Sequence, residues 1–124
     1  MDAQSVIKEL QAEYPGKPIK CLPEESPSEI ICEFEPPEEH PDWSRAMAVI
    51  DKSKPHFHRV MTEVYSVIRG ELKLYVNNEE YVMYEGQSWQ ILPGQVHWAE
   101  GNATWVEVYA SPAWTSDDHV LVEA

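Results

Sequence analysis

Apolar and polar residues along this 124-residue chain follow two different periods. Near the start, Val6, Ile7, Leu10 and Tyr14 recur at helical spacing, with Lys8, Glu9 and Glu13 mostly opposite, which predicts a short amphipathic helix over residues 3–14. Pro15-Gly16 ends it. Residues 15–29 carry Pro15, Pro18, Pro23 and Pro27 among several acids and read as an irregular, wrapping proline-rich arm, and Pro36-Pro37 to Pro41 makes a second break. From residue 30 the period changes to two. Ile30, Cys32 and Phe34 alternate with Ile31, Glu33 and Glu35, residues 46–50 form a short apolar run, and residues 63–68 are rich in Val, Tyr and Ile. Residues 72–76 lead into Asn77-Asn78 and residues 80–84 lead out, a hairpin signal, while 87–92 and 104–109 supply two more strands. Short strands, frequent turns and no helices between them predict an all-β antiparallel sandwich or barrel. The expected organisation is one domain, with residues 1–29 as helix and arm packing on a barrel of residues 30–124.

Charge narrows the possible partners. With 22 acidic and 9 basic side chains the formal net charge is −13, which argues against nucleic acid and against anionic membrane surfaces. No apolar run is long enough to cross a bilayer, and Asp2, Lys8, Glu9 and Glu13 interrupt what a secretory signal would keep apolar. A cytoplasmic location is therefore expected, and with it free thiols at Cys21 and Cys32, whose spacing fits no zinc knuckle.

The candidate chemistry is concentrated in a few residues. His56-Phe57-His58 puts two imidazoles at i and i+2, which on a strand face the same side about 6–7 Å apart. Glu63 follows at the start of the next strand, and His97 comes three residues after the Pro93-Gly94 turn. A lone His-x-His is more often a packed or surface pair. Three imidazoles with one carboxylate, however, suit one divalent transition metal, iron, manganese, nickel, cobalt or zinc, and would leave coordination positions for a water or a substrate oxygen.

The segment His56-Phe57-His58-Arg59-Val60-Met61-Thr62-Glu63, followed after six residues by Gly70, is similar to the first cupin motif at full spacing. Gly86, then Ile91-Leu92-Pro93-Gly94-Gln95-Val96-His97, resembles the second. The resemblance spans residues 44–110 and implies a double-stranded β-helix, or jelly-roll, barrel. It also implies that His56, His58, Glu63 and His97 hold the metal. The short stretch from Glu71 to Glu85 between the motifs is like that of small bacterial cupins. Leu92 stands where the second motif usually has its first proline, and Asn102 lies one place beyond the usual asparagine; neither is a ligand position. Cupins of this size commonly pair through an outer sheet face, so a homodimer is expected through Val64, Ser66, Ile68 and the arm at 15–29.

Strand alternation puts Tyr65 and Val67 on the same side as Glu63. Tyr65 is the expected proton donor or substrate anchor, the alternative being a core tyrosine bonded to a backbone carbonyl. Trp89 and Ile91 share one face of their strand, and Trp105, Glu107 and Tyr109 one face of theirs; spacing leaves open which face is inward. Trp89, Trp105 and Glu107 are taken as the substrate side. Arg45 could clamp a carboxylate or phosphate, or be a surface charge. His40 and His119 lie in polar turns and read as solvated, although Asp118 and His119 could pin the tail across the barrel mouth. Trp98 and Trp114 could form an apolar wall.

The functional expectation is a metalloenzyme in which a divalent metal, held by three histidines and one glutamate, serves as Lewis acid or dioxygen activator on a small oxygen-rich molecule, as in sugar-isomerase-like, lyase or dioxygenase cupins. The alternatives are a non-catalytic, metal-dependent small-ligand binding protein and a purely structural metal.

Overall fold

The computed structural model describes residues 1–122. Helix α1 (Ala3–Glu13) starts where Asp2 accepts a hydrogen bond from the Ser5 N–H, and it buries Val6 and Leu10. Strands β1 (Ile19–Leu22), β2 (Glu29–Glu35), β3 (Ser44–Lys52), β4 (His56–Phe57) and β5 (Thr62–Arg69) follow. The hairpin is β6 (Glu71–Val76) and β7 (Glu79–Tyr84), and then come β8 (Ser88–Ile91), β9 (His97–Ser111) and β10 (Val120–Leu121). A 3₁₀ turn over Ser116–Asp118 precedes β10. The jelly-roll expectation holds: one curled antiparallel sheet in which the long β9 pairs with β3, β4, β5 and β6.

Two expectations need correction. The arm at 15–29 is not wholly irregular, because Ile19–Leu22 pairs antiparallel with β2, Ile19 opposite Cys32 and Leu22 opposite Glu29. The strand expected over 104–109 is much longer, running from His97 to Ser111. At the hairpin, Asn77 and Asn78 take positive φ of 50° and 70°, as a tight turn between twisted strands requires.

The sheet has a buried layer on each side. Inside the barrel pack Ala48, Ile50, Tyr65, Val67, Leu72, Leu74, Val76, Met83, Ile91, Ala99 and Val106. On the outside, α1 lays Val6 and Leu10 over Ile30, Cys32, Met47, Val49 and Trp105. Alternation thus sends Met47 and Val49 of β3 to the helix and Ala48 and Ile50 to the interior. Cys21 and Cys32 are free thiols. No helix among the described residues is long and apolar enough to cross a membrane.

Candidate metal centre

Three strands and a turn deliver one cluster. His56 of β4 pairs directly with His97 of β9, His58 follows just past the end of β4, and Glu63 projects inward from β5 between the β8 and β9 ladders. Each of the four offers a ligand atom, these atoms all lie within 4.8 Å of one another, and all four residues are buried. The structure thus brings together the four residues that the sequence singled out.

Backbone carbonyls set the ring orientations. His56 Nδ1 donates to the Lys54 carbonyl at 2.8 Å, His58 Nδ1 to that of Asp118 at 2.8 Å, and His97 Nδ1 to that of Gln95 at 3.0 Å. A carbonyl only accepts, so each Nδ1 carries a proton and each ring turns its Nε2 to the centre. There Glu63 Oε1 lies 3.0 Å from His58 Nε2 and 3.2 Å from His97 Nε2. Lone pairs facing a carboxylate oxygen at such distances require a cation between them, a proton or a metal ion. The proton is the metal-free answer. Burial alone would push His58 down, but the Glu63 hydrogen bond and charge outweigh it and leave it raised. Burial pushes Glu63 up, and His58 and His97 together hold it well below the usual carboxylate range. His56 goes the other way, to about 3, through burial and the His97 charge. Three borderline-soft nitrogen donors with one carboxylate, already converged and already anionic, fit a divalent transition metal.

The C-terminal segment secures the first ligand stretch. The Asp118 carboxylate accepts the Arg59 N–H at 2.7 Å, the Val60 N–H at 3.1 Å and the Met61 N–H at 2.9 Å, while its own carbonyl holds His58. Val120 and Leu121 of β10 pair with Phe57 and His56. On the other side, the Gly94 N–H of the Pro93-Gly94 turn donates to the His58 carbonyl at 2.7 Å, and Gln95 Oε1 caps the Leu92 N–H at 2.8 Å. Leu92 in place of a proline therefore leaves a turn that Gln95 ties down.

The cluster lies on the wall of a cavity of about 410 Å³, which His56, His58, Glu63, Tyr65, Trp114 and His119 help to line. Tyr65 is buried, its ring edge-on to His97 with centroids 5.9 Å apart, and burial with the charge of Glu63 raises its hydroxyl well above the ordinary value. His119 is not simply solvated. It stacks on His56 at 4.4 Å, and β10 pairs with β4, so the tail packs against the cluster. Trp98 stacks on Tyr75 at 3.9 Å and lies off the cavity, so the wall expected of Trp98 and Trp114 is Trp114 alone.

The remaining expected substrate residues are placed otherwise. Trp105 is buried under α1 on the outer face, and Glu107 lines a separate shallow hollow with Trp43, Val64 and Tyr109. Their neighbours Val106 and Val108 take the inner positions instead. Spacing cannot reveal this, because a strand covered on both faces loses its polar alternation. Arg45 reaches the cavity wall, but its guanidinium is engaged by Glu107 at 2.5 Å and Glu35 at 3.3 Å. Trp89 packs on Tyr81 at 4.1 Å beside the inner core and lies outside the cavity lining. Two cavity groups escaped sequence reasoning: Glu29 and the Lys20–Glu33 pair. Glu29, Ile31 and Glu33 share one strand face, a signal hidden by ending the arm at residue 29.

Comparison with known proteins agrees with this geometry. The family model described as "Cupin domain" matches residues 45–109, just over half of the chain. No curated protein matches the sequence. Among solved structures, Streptomyces PAC13 with uridine superposes with a TM-score of 0.71 at 14% identity, covering 77% of this chain and 79% of that one. Another structure of that protein describes it as a nucleoside dehydratase. A protein from Planctomyces limnophilus gives a TM-score of 0.71 at 19% identity over 87% of this chain and 92% of its own. An oxalate decarboxylase variant from Bacillus subtilis gives 0.73 at 10% identity, over 88% of this chain and 31% of that one. At these identities the structural likeness speaks for the fold.

Proposed function

Since this chain belongs to the cupin family, we propose that it is a metalloenzyme whose His56, His58, Glu63 and His97 hold one divalent transition metal against a small oxygen-rich substrate. The observation that carries the reading is the convergence of three histidine nitrogens and one carboxylate, three of the four residues lining a cavity sized for a small molecule. When bound, such a metal supplies Lewis-acid polarisation of a substrate oxygen or, if it is iron, activation of dioxygen. The carbonyls of Lys54, Asp118 and Gln95 fix the imidazoles, so little reorganisation is needed. Trp114 and the Tyr65 ring give the substrate an apolar wall and restrict water. The Tyr65 hydroxyl keeps its proton through the neutral range and serves as a donor to a substrate oxygen. Neighbours on this fold include a nucleoside dehydratase and an oxalate decarboxylase, which supports an enzyme acting on a small oxygen-bearing molecule.

The test is elemental analysis of the purified protein, followed by turnover of keto-sugars, diols and 1,3-dicarbonyls after loading with each candidate metal. Turnover by the loaded protein that is lost in His56→Ala is the expected result. A compound that binds through the metal and leaves unchanged would overturn catalysis in favour of a binding module. Zinc held by the four side chains with no bound water would favour a structural metal. We also read residues 1–29 as packing on the barrel of 30–124, the protein as cytoplasmic, and the outer face around Val64, Ser66 and Ile68 as a homodimer contact. Light scattering that gives a monomer overturns the last of these.

A further inference from the structure

One acidic side chain in the cavity belongs to neither the cluster nor an ion pair. Glu29 opens β2, opposite Leu22 of β1 and Ile50 of β3, and lines the same cavity as His56, His58 and Glu63. The other carboxylates there are engaged: Glu33 by Lys20 at 2.7 Å, and Glu63 by His58 and His97. Among the described residues, neither a hydrogen bond nor a counter-ion accounts for the state of the Glu29 carboxyl, which burial and then the charge of Glu63 push up to about 7. The charged and titratable groups that line the cavity with it are Lys20 of β1, Glu33 of β2, Arg45 and Lys52 of β3, Lys54 beyond it, Glu63 and Tyr65 of β5, and His56, His58 and His119. A half-buried carboxyl left unpartnered in a cavity wall is a group with hydrogen-bonding capacity in reserve for whatever fills the cavity. Tyr65 lines the same cavity and keeps its proton, so a hydroxyl donor and an unpaired carboxyl face one space, the arrangement expected of a donor and a base on one substrate.

We propose that Glu29 is a catalytic residue, the base that removes a proton from a substrate carbon beside a carbonyl while the substrate oxygens face the His56–His58–Glu63–His97 centre. This rests on the reading of that centre given above and narrows it to proton-transfer chemistry on hydroxycarbonyl compounds. The C–H bond breaks, its electron pair moves toward the carbonyl carbon and on to the carbonyl oxygen, and the proton forms an O–H bond on the Glu29 carboxylate. Its return to the same carbon restores the substrate; its return to the former carbonyl carbon, with the proton of the adjacent hydroxyl passing to the former carbonyl oxygen, completes an isomerisation. No oxidant or reductant is consumed.

The experiment uses the manganese(II)-loaded protein in D2O with dihydroxyacetone and hydroxypyruvate as probes. Proton NMR follows C–H to C–D exchange, and water-proton relaxation of the bound manganese reports probe binding. Wild type is expected to exchange at least one probe, and Glu29→Gln to exchange it about 100-fold more slowly with manganese and probe affinities unchanged. Glu29→Asp should recover part of the rate. Exchange in Glu29→Gln at the wild-type rate overturns the proposal and leaves the metal reading standing. So does a wild-type protein that binds the probes without exchanging them. If wild type takes up no manganese or binds neither probe, the reading of the centre fails and the proposal with it.

Discussion

At the residue scale, three carbonyl oxygens do as much for the centre as the four side chains that form it. By fixing each Nδ1 proton they point three Nε2 atoms inward and leave Glu63 Oε1 between two of them. His97→Ala removes one donor and opens a void in a fully buried position, so its affinity for manganese or zinc should fall at least about 100-fold by isothermal titration, with the apo fold intact by circular dichroism. Glu29 gives a pH signature of its own. Its carboxyl ordinarily titrates at 4.5 and is held at about 7 in the folded chain. Below 4.5 it is neutral in both states and costs nothing. Between 4.5 and 7 the unfolded chain ionises it while the folded chain does not, so stability is lost as pH rises through that window. In chelator-treated protein, Glu29→Gln should match wild type near the low end of that window and exceed it by about 1–3 kcal/mol above its high end in urea unfolding, after discounting for partial exposure. His56, kept neutral by burial, acts with the opposite sign as pH falls from 6.5 toward 3, but it is present in both proteins. The clustering of His56, His58, Glu63 and His97 was legible in the sequence because motif spacing encodes it. Glu29 was not, because its meaning depends on what faces it across the barrel.

At the element scale, the 3₁₀ turn at 116–118 works as a clamp on the segment joining β4 to β5. Asp118→Ala releases three backbone N–H groups and loosens the carbonyl that holds His58. Metal affinity should drop about 10- to 100-fold by titration, whereas Asp118→Asn, which keeps one acceptor oxygen, should lose less. Gly101 allows β9 to pass close to β3: a Cβ there would lie 2.5 Å from Thr104 Oγ1 and 2.8 Å from the Ile50 carbonyl oxygen. Gly101→Ala should therefore cost about 1–3 kcal/mol, read as a lowered urea midpoint. The hairpin and the strands from residue 30 were legible from alternation and turn residues. Strand β1 was not, because four residues between Pro18 and Pro23 give too short a pattern to stand out from the arm. The first half of β9 was missed because Gly101 and Asn102 look like a loop, although they lie within a strand.

At the scale of the whole molecule, the barrel wall is buried twice over part of its surface, by its own interior and by α1. Leu10 is fully buried on the outside, so Leu10→Ala should destabilise the protein by about 2–5 kcal/mol without changing metal stoichiometry. This double burial explains the misplaced tryptophan. Thr104, Trp105 and Val106 are all buried in succession, so polarity along β9 no longer tells inside from outside. A site assembled from β4, β5, β9 and the C-terminal segment should also report on folding as a whole. Chelation of the metal should lower Tm by an amount that grows with the logarithm of metal affinity, and re-addition should restore it, as measured by calorimetry.

The clamp on His58 has a consequence for how the protein is made. The carbonyl that sets this ring belongs to a residue 60 positions further along the chain. While the chain is still on the ribosome, the first three ligands emerge long before the group that orients one of them. A nascent chain at that stage offers two loosely held histidines and a glutamate, a poor trap for any ion. A metal centre there should therefore load only after synthesis has passed Asp118, so protein folded without metal and then given a candidate ion is expected to bind it as fully as protein made in its presence, as read by elemental analysis.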